Sequence, residues 1–178
     1  MEQQVEFAVG VKDMMKRKIA MQGILWLFIL SAGIITGGSI FEGVVLTPLW
    51  SHALPDSVRQ WPYGTIQSKF FAVVTPLYAL LSLALLIASH RMAAQQRKWA
   101  RVAGLCGLIV VIATFAFFVP ILQKTQATQG AGLSGEEITR LVNQFKTWHW
   151  GRWALLIGSW LAGLRALSLS GESSVEKP

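Results

Sequence analysis

Four polar side chains near the ends of long apolar segments are the residues of this chain best suited to chemistry. Glu42 follows an uncharged stretch, and Lys69 precedes another. His149 and Arg152 stand at the start of a fourth apolar segment, three residues apart, which places them on one face of a helix. A charged side chain in or beside a lipid bilayer is energetically costly, so these residues indicate a functional site.

Glu42, His149 and Arg152 are the candidate catalytic residues. Glu42 needs a cationic partner or a proton, and it suits the role of proton acceptor or metal ligand. His149 can act as a general base, an axial haem ligand or a metal ligand. Arg152 keeps its charge and would hold an anionic or enolate-like group. The structural alternatives are an ion pair between Glu42 and Arg152, and an interfacial position for His149.

Three further residues are candidates for binding a substrate. Lys69 lies at the start of the second apolar segment, and Trp148 and Trp153 stand beside His149 in the fourth. Tryptophan also suits the boundary between lipid and water, because its ring has an apolar body and one polar atom. The tryptophans therefore fit either a binding site or an interfacial belt.

The cofactor stays open between none, haem and a metal ion. A metal site would draw on His149, Glu42 and His52, since non-haem iron typically takes two histidines and a carboxylate. Cys106 is the only cysteine. A single cysteine excludes an intrachain disulfide and a multi-cysteine metal centre.

The apolar segments that carry these residues predict an all-α integral membrane protein. Only 14% of the residues are charged, against about 25% in soluble domains. Each segment approaches the roughly 20 residues that a helix needs to cross a bilayer, and backbone in lipid must form its own hydrogen bonds. We expect one four-helix domain over residues 1–178, with helices at about 19–45, 68–89, 98–120 and 135–168.

Local signals predict how these helices are connected. Pro48, Pro55 and Pro62 should break the chain after the first helix, with a short helix near Asp56–Gln60. Ser134 stands three residues before Glu137, the spacing of a capping box at the start of the fourth helix.

The basic residues indicate how the chain is oriented. The net charge is +7, and ten of the sixteen basic residues fall in the N-terminal segment, the second connection and the C-terminal tail. Cytoplasmic segments of membrane proteins carry such an excess of basic residues. We therefore expect the protein in the cell (inner) membrane, with both termini on the cytoplasmic side. This distribution explains the charge without nucleic-acid binding. It also places the four polar residues near the outer face.

Short motifs in three places resemble a known family. They are Thr47–Pro48 after a glycine-rich first helix, Phe117–Pro120 at the end of the third, and Trp148–Arg152 at the start of the fourth. They are similar to motifs of the mostly uncharacterised bacterial four-helix membrane proteins related to fungal anthrone oxygenases. The resemblance covers most of the chain and implies a four-helix membrane fold with an oxygenase-like activity.

Two classes of function therefore stay open. One is an oxidoreductase acting on a lipophilic aromatic or quinone-like molecule that enters from the bilayer near the outer face. The other is a non-catalytic membrane subunit, or a haem or metal carrier, that assembles with a membrane partner or as a homo-oligomer.

Overall fold

The computed structural model describes residues 2–61, 66–127 and 132–172, and every regular element in these ranges is helical. Within these ranges, two wide π-helical turns lie between α-helices, at Glu42–Leu46 and Thr114–Phe118, and a third, Gln123–Ala127, follows the helix Val119–Leu122. In chain order the α-helices are α1 (Glu2–Phe41), α2 (Thr47–Trp50), α3 (Asp56–Gln60), α4 (Ile66–Ser89), α5 (Ala94–Ala113), α6 (Val119–Leu122) and α7 (Gly135–Glu172).

Four segments of the described chain are long and apolar enough to cross a membrane. We name them span 1 (Lys18–Trp50), span 2 (Ser68–Ser89), span 3 (Ala94–Thr125) and span 4 (Gly135–Ser170). The predicted all-α, four-helix membrane architecture is thereby confirmed. Consecutive spans run in opposite directions, so the bundle has a basic end at Lys18 and a site end at Trp50.

The spans form a closed ring in which each packs against two neighbours. Span 1 packs against spans 2 and 4, and span 3 packs against the same two. The main core lies between them and includes Phe28, Tyr78 and Leu156, none of which is exposed. A second apolar cluster at the site end joins Trp50 and Val58 to spans 3 and 4.

The outer surface of the bundle is apolar, as lipid requires. Leu27, Val73, Leu80 and Ile112 are each more than half exposed, and they lie on spans 1, 2 and 3. Large exposed apolar surfaces are rare on soluble monomers and mark a surface that another apolar phase covers. The apolar residues of the spans thus contact the lipid on the outside of the bundle and form the core on the inside.

Two of the wide turns accommodate prolines that were expected to end helices. The Thr47 N–H donates to the Glu42 carbonyl, and the Val119 N–H donates to the Thr114 carbonyl, each five residues back. Pro48 and Pro120 are the second residues of α2 and α6, one residue after these turns, where a missing N–H costs little. Span 1 therefore extends to Trp50 and span 3 beyond Pro120.

The connections at the site end follow the local sequence signals. The short helix Asp56–Gln60 is present as α3. The Ser134 N–H donates to the Glu137 carboxylate at 3.1 Å, and the Glu137 N–H donates to Ser134 Oγ at 3.2 Å. This reciprocal pair confirms the predicted capping box at the start of α7.

Candidate functional site

A buried ion pair joins spans 1 and 4 near the site end. Glu42 is the first residue of the wide turn in span 1, and only 2% of its surface is exposed. Arg152 Nη1 lies 3.4 Å from Glu42 Oε2, and Arg152 is also buried, with 5% of its surface exposed. The predicted pairing of these two residues is confirmed.

His149 lies beside this pair and faces the interior, as predicted. Its Nε2 is 3.3 Å from the Ser39 carbonyl and 3.9 Å from Glu42 Oε2. A carbonyl can only accept a hydrogen bond, so the contact with Ser39 requires the proton on Nε2. Nδ1 is then the basic nitrogen of the neutral ring, and it has no hydrogen-bond partner among the described residues.

Trp153 fixes the same backbone group from the next turn of span 4. Its indole N–H donates to the Ser39 carbonyl at 3.1 Å, and its ring packs edge-on against the His149 ring at a centroid distance of 5.5 Å. The Ser39 carbonyl therefore accepts from two side chains of span 4. A Cβ atom at Gly43 would collide with the Trp153 ring, so the glycine is what allows this close approach.

Two aromatic rings enclose the Arg152 guanidinium. Its central carbon lies 5.1 Å from the Phe71 ring centre and 5.2 Å from that of Phe118. A cation over a ring face is attracted by the ring's quadrupole, which partly offsets the loss of water. Nη1 contacts Glu42, whereas Nε and Nη2 are buried without a hydrogen-bond partner in the described part of the chain.

A cavity of about 420 Å³ opens on the His149 side of the cluster. Trp153 borders it together with His52, Ser51 and Lys146, so its wall combines aromatic and polar groups. The predicted pocket beside His149 is therefore present. Its position between spans 1 and 4 links the buried histidine to the exposed His52 and the connection after span 1.

A second cavity, of about 180 Å³, lies on the other side of the ion pair. Glu42 and Arg152 line it, and most of the remaining wall is apolar and contributed by spans 2 and 3. Two of its lining residues, Ala72 and Phe115, are exposed on the lipid-facing surface. The cavity therefore reaches from the ion pair to the outside of the bundle.

The other candidate residues lie around this cluster rather than within it. Lys69 is exposed, next to Ser68 on the wall of the smaller cavity. Trp148 is 58% exposed and packs edge-on against Phe117. His52 is exposed, with Nδ1 2.8 Å from the Leu49 carbonyl.

The three proposed metal ligands do not converge. Among the described residues, no group of three histidine, cysteine, aspartate or glutamate side chains is placed to hold a metal ion. His149 and His52 border the larger cavity, whereas Glu42 borders the smaller one.

Sequence reasoning missed the groups that surround the charged residues. The Ser39 carbonyl accepts from His149 and Trp153, and a backbone carbonyl leaves no mark in a sequence. Phe71 and Phe118 enclose Arg152, but aromatic residues are common throughout apolar segments. Phe118 was noted in the sequence only as part of the Phe117–Pro120 motif.

Comparison with known proteins identifies the family. A family described as "Anthrone oxygenase" matches residues 65–162, which is more than half of the chain. The matched region contains His149 and Arg152, whereas Glu42 precedes it. No curated protein and no solved structure matches the chain. The chain therefore belongs to the anthrone oxygenase family.

Proposed function

We propose that this protein is a membrane oxidoreductase that uses dioxygen to oxidise a lipophilic aromatic ketone of the anthrone type. The observation that carries the proposal is the buried cluster of Glu42, His149 and Arg152 beside a cavity that reaches the lipid-facing surface. Anthrone-type ketones partition into lipid and carry an acidic methylene group. A substrate of this kind would enter from the bilayer and meet the cluster directly.

The cluster supplies the groups that such a reaction needs. The Glu42 carboxylate takes a proton from the methylene carbon, and Arg152 stabilises the negative charge that develops on the ketone oxygen. Both residues line the smaller cavity, so they can act on one bound molecule. His149 Nδ1, which has no hydrogen-bond partner among the described residues, offers a second position for the proton.

The remaining steps require only dioxygen. The enolate transfers two electrons to dioxygen as a carbon–oxygen bond forms, which gives a hydroperoxide after protonation. Loss of water from the hydroperoxide converts the former methylene into a carbonyl. The balance is one CH2 group and one O2 converted to one C=O group and one H2O, with the enzyme's proton returned.

We further propose that the tryptophans and Lys69 act in binding rather than in the proton transfer. Trp153 borders the larger cavity and holds the Ser39 carbonyl that orients His149. Trp148 and Lys69 are exposed near the site end, where an entering molecule would first meet the protein.

Purified protein in lipid nanodiscs tests the activity. With anthrone as substrate, the expected result is anthraquinone formation with equal consumption of dioxygen. Glu42→Gln should lower turnover about 100-fold or more, the usual contribution of a positioned base. Asp56→Asn, an exposed carboxylate at the same end, should retain full turnover.

His149→Ala tests the histidine in the same assay. It should abolish turnover while the protein stays folded and inserted, whereas His52→Ala should be active. Wild-type protein that consumes no dioxygen would overturn the proposal and favour a non-catalytic subunit. A Soret band in the absorption spectrum of gently purified protein would instead assign a haem role.

A further inference from the structure

The smaller cavity contains more unpartnered polar groups than the proposed proton transfer uses. Thr75 lines its wall from span 2, with 2% of its surface exposed. The Thr75 hydroxyl has no hydrogen-bond partner among the described residues, and neither do Arg152 Nε and Nη2. Buried donors without partners are rare in folded proteins, and each one needs an explanation.

Thr75 differs from three other buried threonines of the spans, whereas Thr47, on the wall of the larger cavity, likewise has no hydrogen-bond partner among the described residues. Thr36, Thr114 and Thr125 each donate to a carbonyl four residues back, at 2.6 to 2.8 Å. This local bond is the usual way in which a helical threonine satisfies its hydroxyl. Thr114 lines the same cavity, yet its hydrogen is already used. Thr75 therefore presents a donor that its own helix does not occupy.

The surroundings of these donors define what would fit. Arg152 is held in place by Glu42 on one side and by the Phe71 and Phe118 rings on the others. The same two rings form part of the cavity wall, so apolar surface adjoins the donors. A ligand with a flat hydrocarbon body and one oxygen acceptor matches this combination of an apolar wall and unpartnered donors on one cavity.

We infer that Thr75 and Arg152 form a subsite for the carbonyl or enolate oxygen of a lipophilic aromatic ligand. The proposal rests on the function above and deepens it, because it names Thr75 as a binding residue and assigns the ligand's oxygen to one end of the smaller cavity. Donors from spans 2 and 4 then meet at one atom, as in sites that stabilise a developing oxyanion.

Two probes that differ only at the oxygen test the subsite. Anthrone and 9,10-dihydroanthracene share a ring skeleton, and the second has a CH2 group in place of the carbonyl. Calorimetric titration into wild-type protein in nanodiscs, with dioxygen excluded so that no oxidation occurs, should show tighter binding of anthrone. Thr75→Val should lower this preference about tenfold, the effect of losing one hydrogen bond to a polarised oxygen.

Matched variants separate binding from folding. Thr114→Val removes a hydroxyl from the same cavity whose hydrogen is already bonded, so it should keep the preference. Thr75→Ser retains the donor and should keep it as well. Thr75→Val should leave the ligand-free protein at least as resistant to unfolding as the wild type, because it removes an unsatisfied group.

The outcomes distinguish this inference from the proposed function. Equal binding of the two probes by the wild type, or an unchanged preference in Thr75→Val, would overturn the subsite even if anthrone is oxidised. A preference that depends on Thr75 in a protein that consumes no dioxygen would support the subsite and refute the oxidation. If Thr75→Val does not fold, Thr75→Ala takes its place. The subsite is then supported if Thr75→Ser keeps the preference for anthrone and Thr75→Ala loses it.

Discussion

At the scale of single residues, the pairing of Glu42 with Arg152 determines much of how this site behaves. Both side chains are almost fully buried, and the bilayer around the bundle provides no water to solvate a lone charge. The attraction between them offsets a desolvation cost that either residue alone would retain in full. The pair is therefore sensitive to the loss of one member.

Removing one partner should destabilise the protein more than removing both. We expect Glu42→Leu or Arg152→Met alone to lower the free energy of unfolding by about 3–5 kcal/mol, and the double variant to cost less. Unfolding by sodium dodecyl sulfate in mixed micelles measures these differences. The exposed pair of Asp56 and Arg59 provides the control, because breaking it should change stability little. Strictly additive losses at positions 42 and 152 would contradict the expectation.

The sequence was informative about charged residues and uninformative about their surroundings. The three-residue spacing of His149 and Arg152 and the helix directions were enough to predict their meeting with Glu42. The Ser39 carbonyl and the Thr75 hydroxyl could not be identified in this way. Their roles depend on side-chain rotation and on the exact approach of two helices, which hydropathy does not encode.

At the scale of elements, the contact between spans 1 and 4 depends on Gly43. The Trp153 ring lies against the Gly43 backbone, in the wide turn that also carries Glu42. A methyl group at this position would push Trp153 away from the Ser39 carbonyl. It would also press on the His149 ring, whose Cδ2 lies 3.1 Å from the position of such a Cβ atom.

Gly43→Ala should therefore impair the site, whereas Gly37→Ala should not. A Cβ atom at Gly37 meets nothing within 4 Å, and alanine stabilises a helix interior by about 1 kcal/mol relative to glycine. In the anthrone assay we expect a large loss of turnover for the first variant and wild-type turnover for the second. Trp fluorescence would report the displaced Trp153. Equal activity of the two variants would show that the close approach is not needed.

A second element-scale contact joins three spans in the middle of the bundle. The Ser159 hydroxyl donates to the Ala103 carbonyl at 2.7 Å, so the Tyr78 hydroxyl must donate to Ser159 Oγ at 2.6 Å. Spans 2, 3 and 4 are thereby connected through one serine. Ser159 is fully buried, and so is Tyr78.

Ser159→Ala should destabilise the bundle more than Tyr78→Phe does. The alanine variant leaves the Tyr78 hydroxyl without a partner, at a cost of about 1–3 kcal/mol, whereas the phenylalanine variant removes one bond worth about 1 kcal/mol. Detergent unfolding curves would measure both. A larger loss for Tyr78→Phe would contradict the expectation, because that variant keeps the ring packing and removes only the hydroxyl.

Helices were easier to predict than their ends. The existence of four spans followed from length and hydropathy alone, and the capping box marked the start of α7 correctly. The predicted ends of the first and third helices lie too early, because Pro48 and Pro120 follow wide turns in which hydrogen bonding is already shifted. The usual rule that proline ends a helix assumes an α-helical turn before it.

At the scale of the whole molecule, charge and hydropathy are arranged along one axis. The outer surface is apolar, and the buried cluster lies near one end of it. Lys18, Arg91, Lys98 and Arg165 lie towards the opposite, basic end. The prediction that the basic end and both termini face the cytoplasm rests on this separation.

Cysteine labelling tests that orientation. In a Cys106→Ser background, Gln95→Cys at the basic end should react only with reagents that reach the cytoplasm, and His52→Cys at the site end only with reagents added outside. If position 95 reacts only with reagents added outside, the orientation is the reverse of the predicted one. Reaction at both positions from the same side would contradict a four-span topology.

The wide turn that begins at Glu42 also bears on how the family can vary. A π-helical turn holds one residue more than the α-helical turn that it replaces, so a single-residue deletion there would restore a continuous α-helix without breaking it. The residues beyond the turn would stay on nearly the same face of the helix, because the wide turn spreads its extra residue over the same rotation. Trp50 would therefore remain in the core, and the change would be confined to the turn that carries Glu42. A one-residue change in the length of span 1 would thus act on the charged cluster while the packing and the hydropathy of the bundle stay the same.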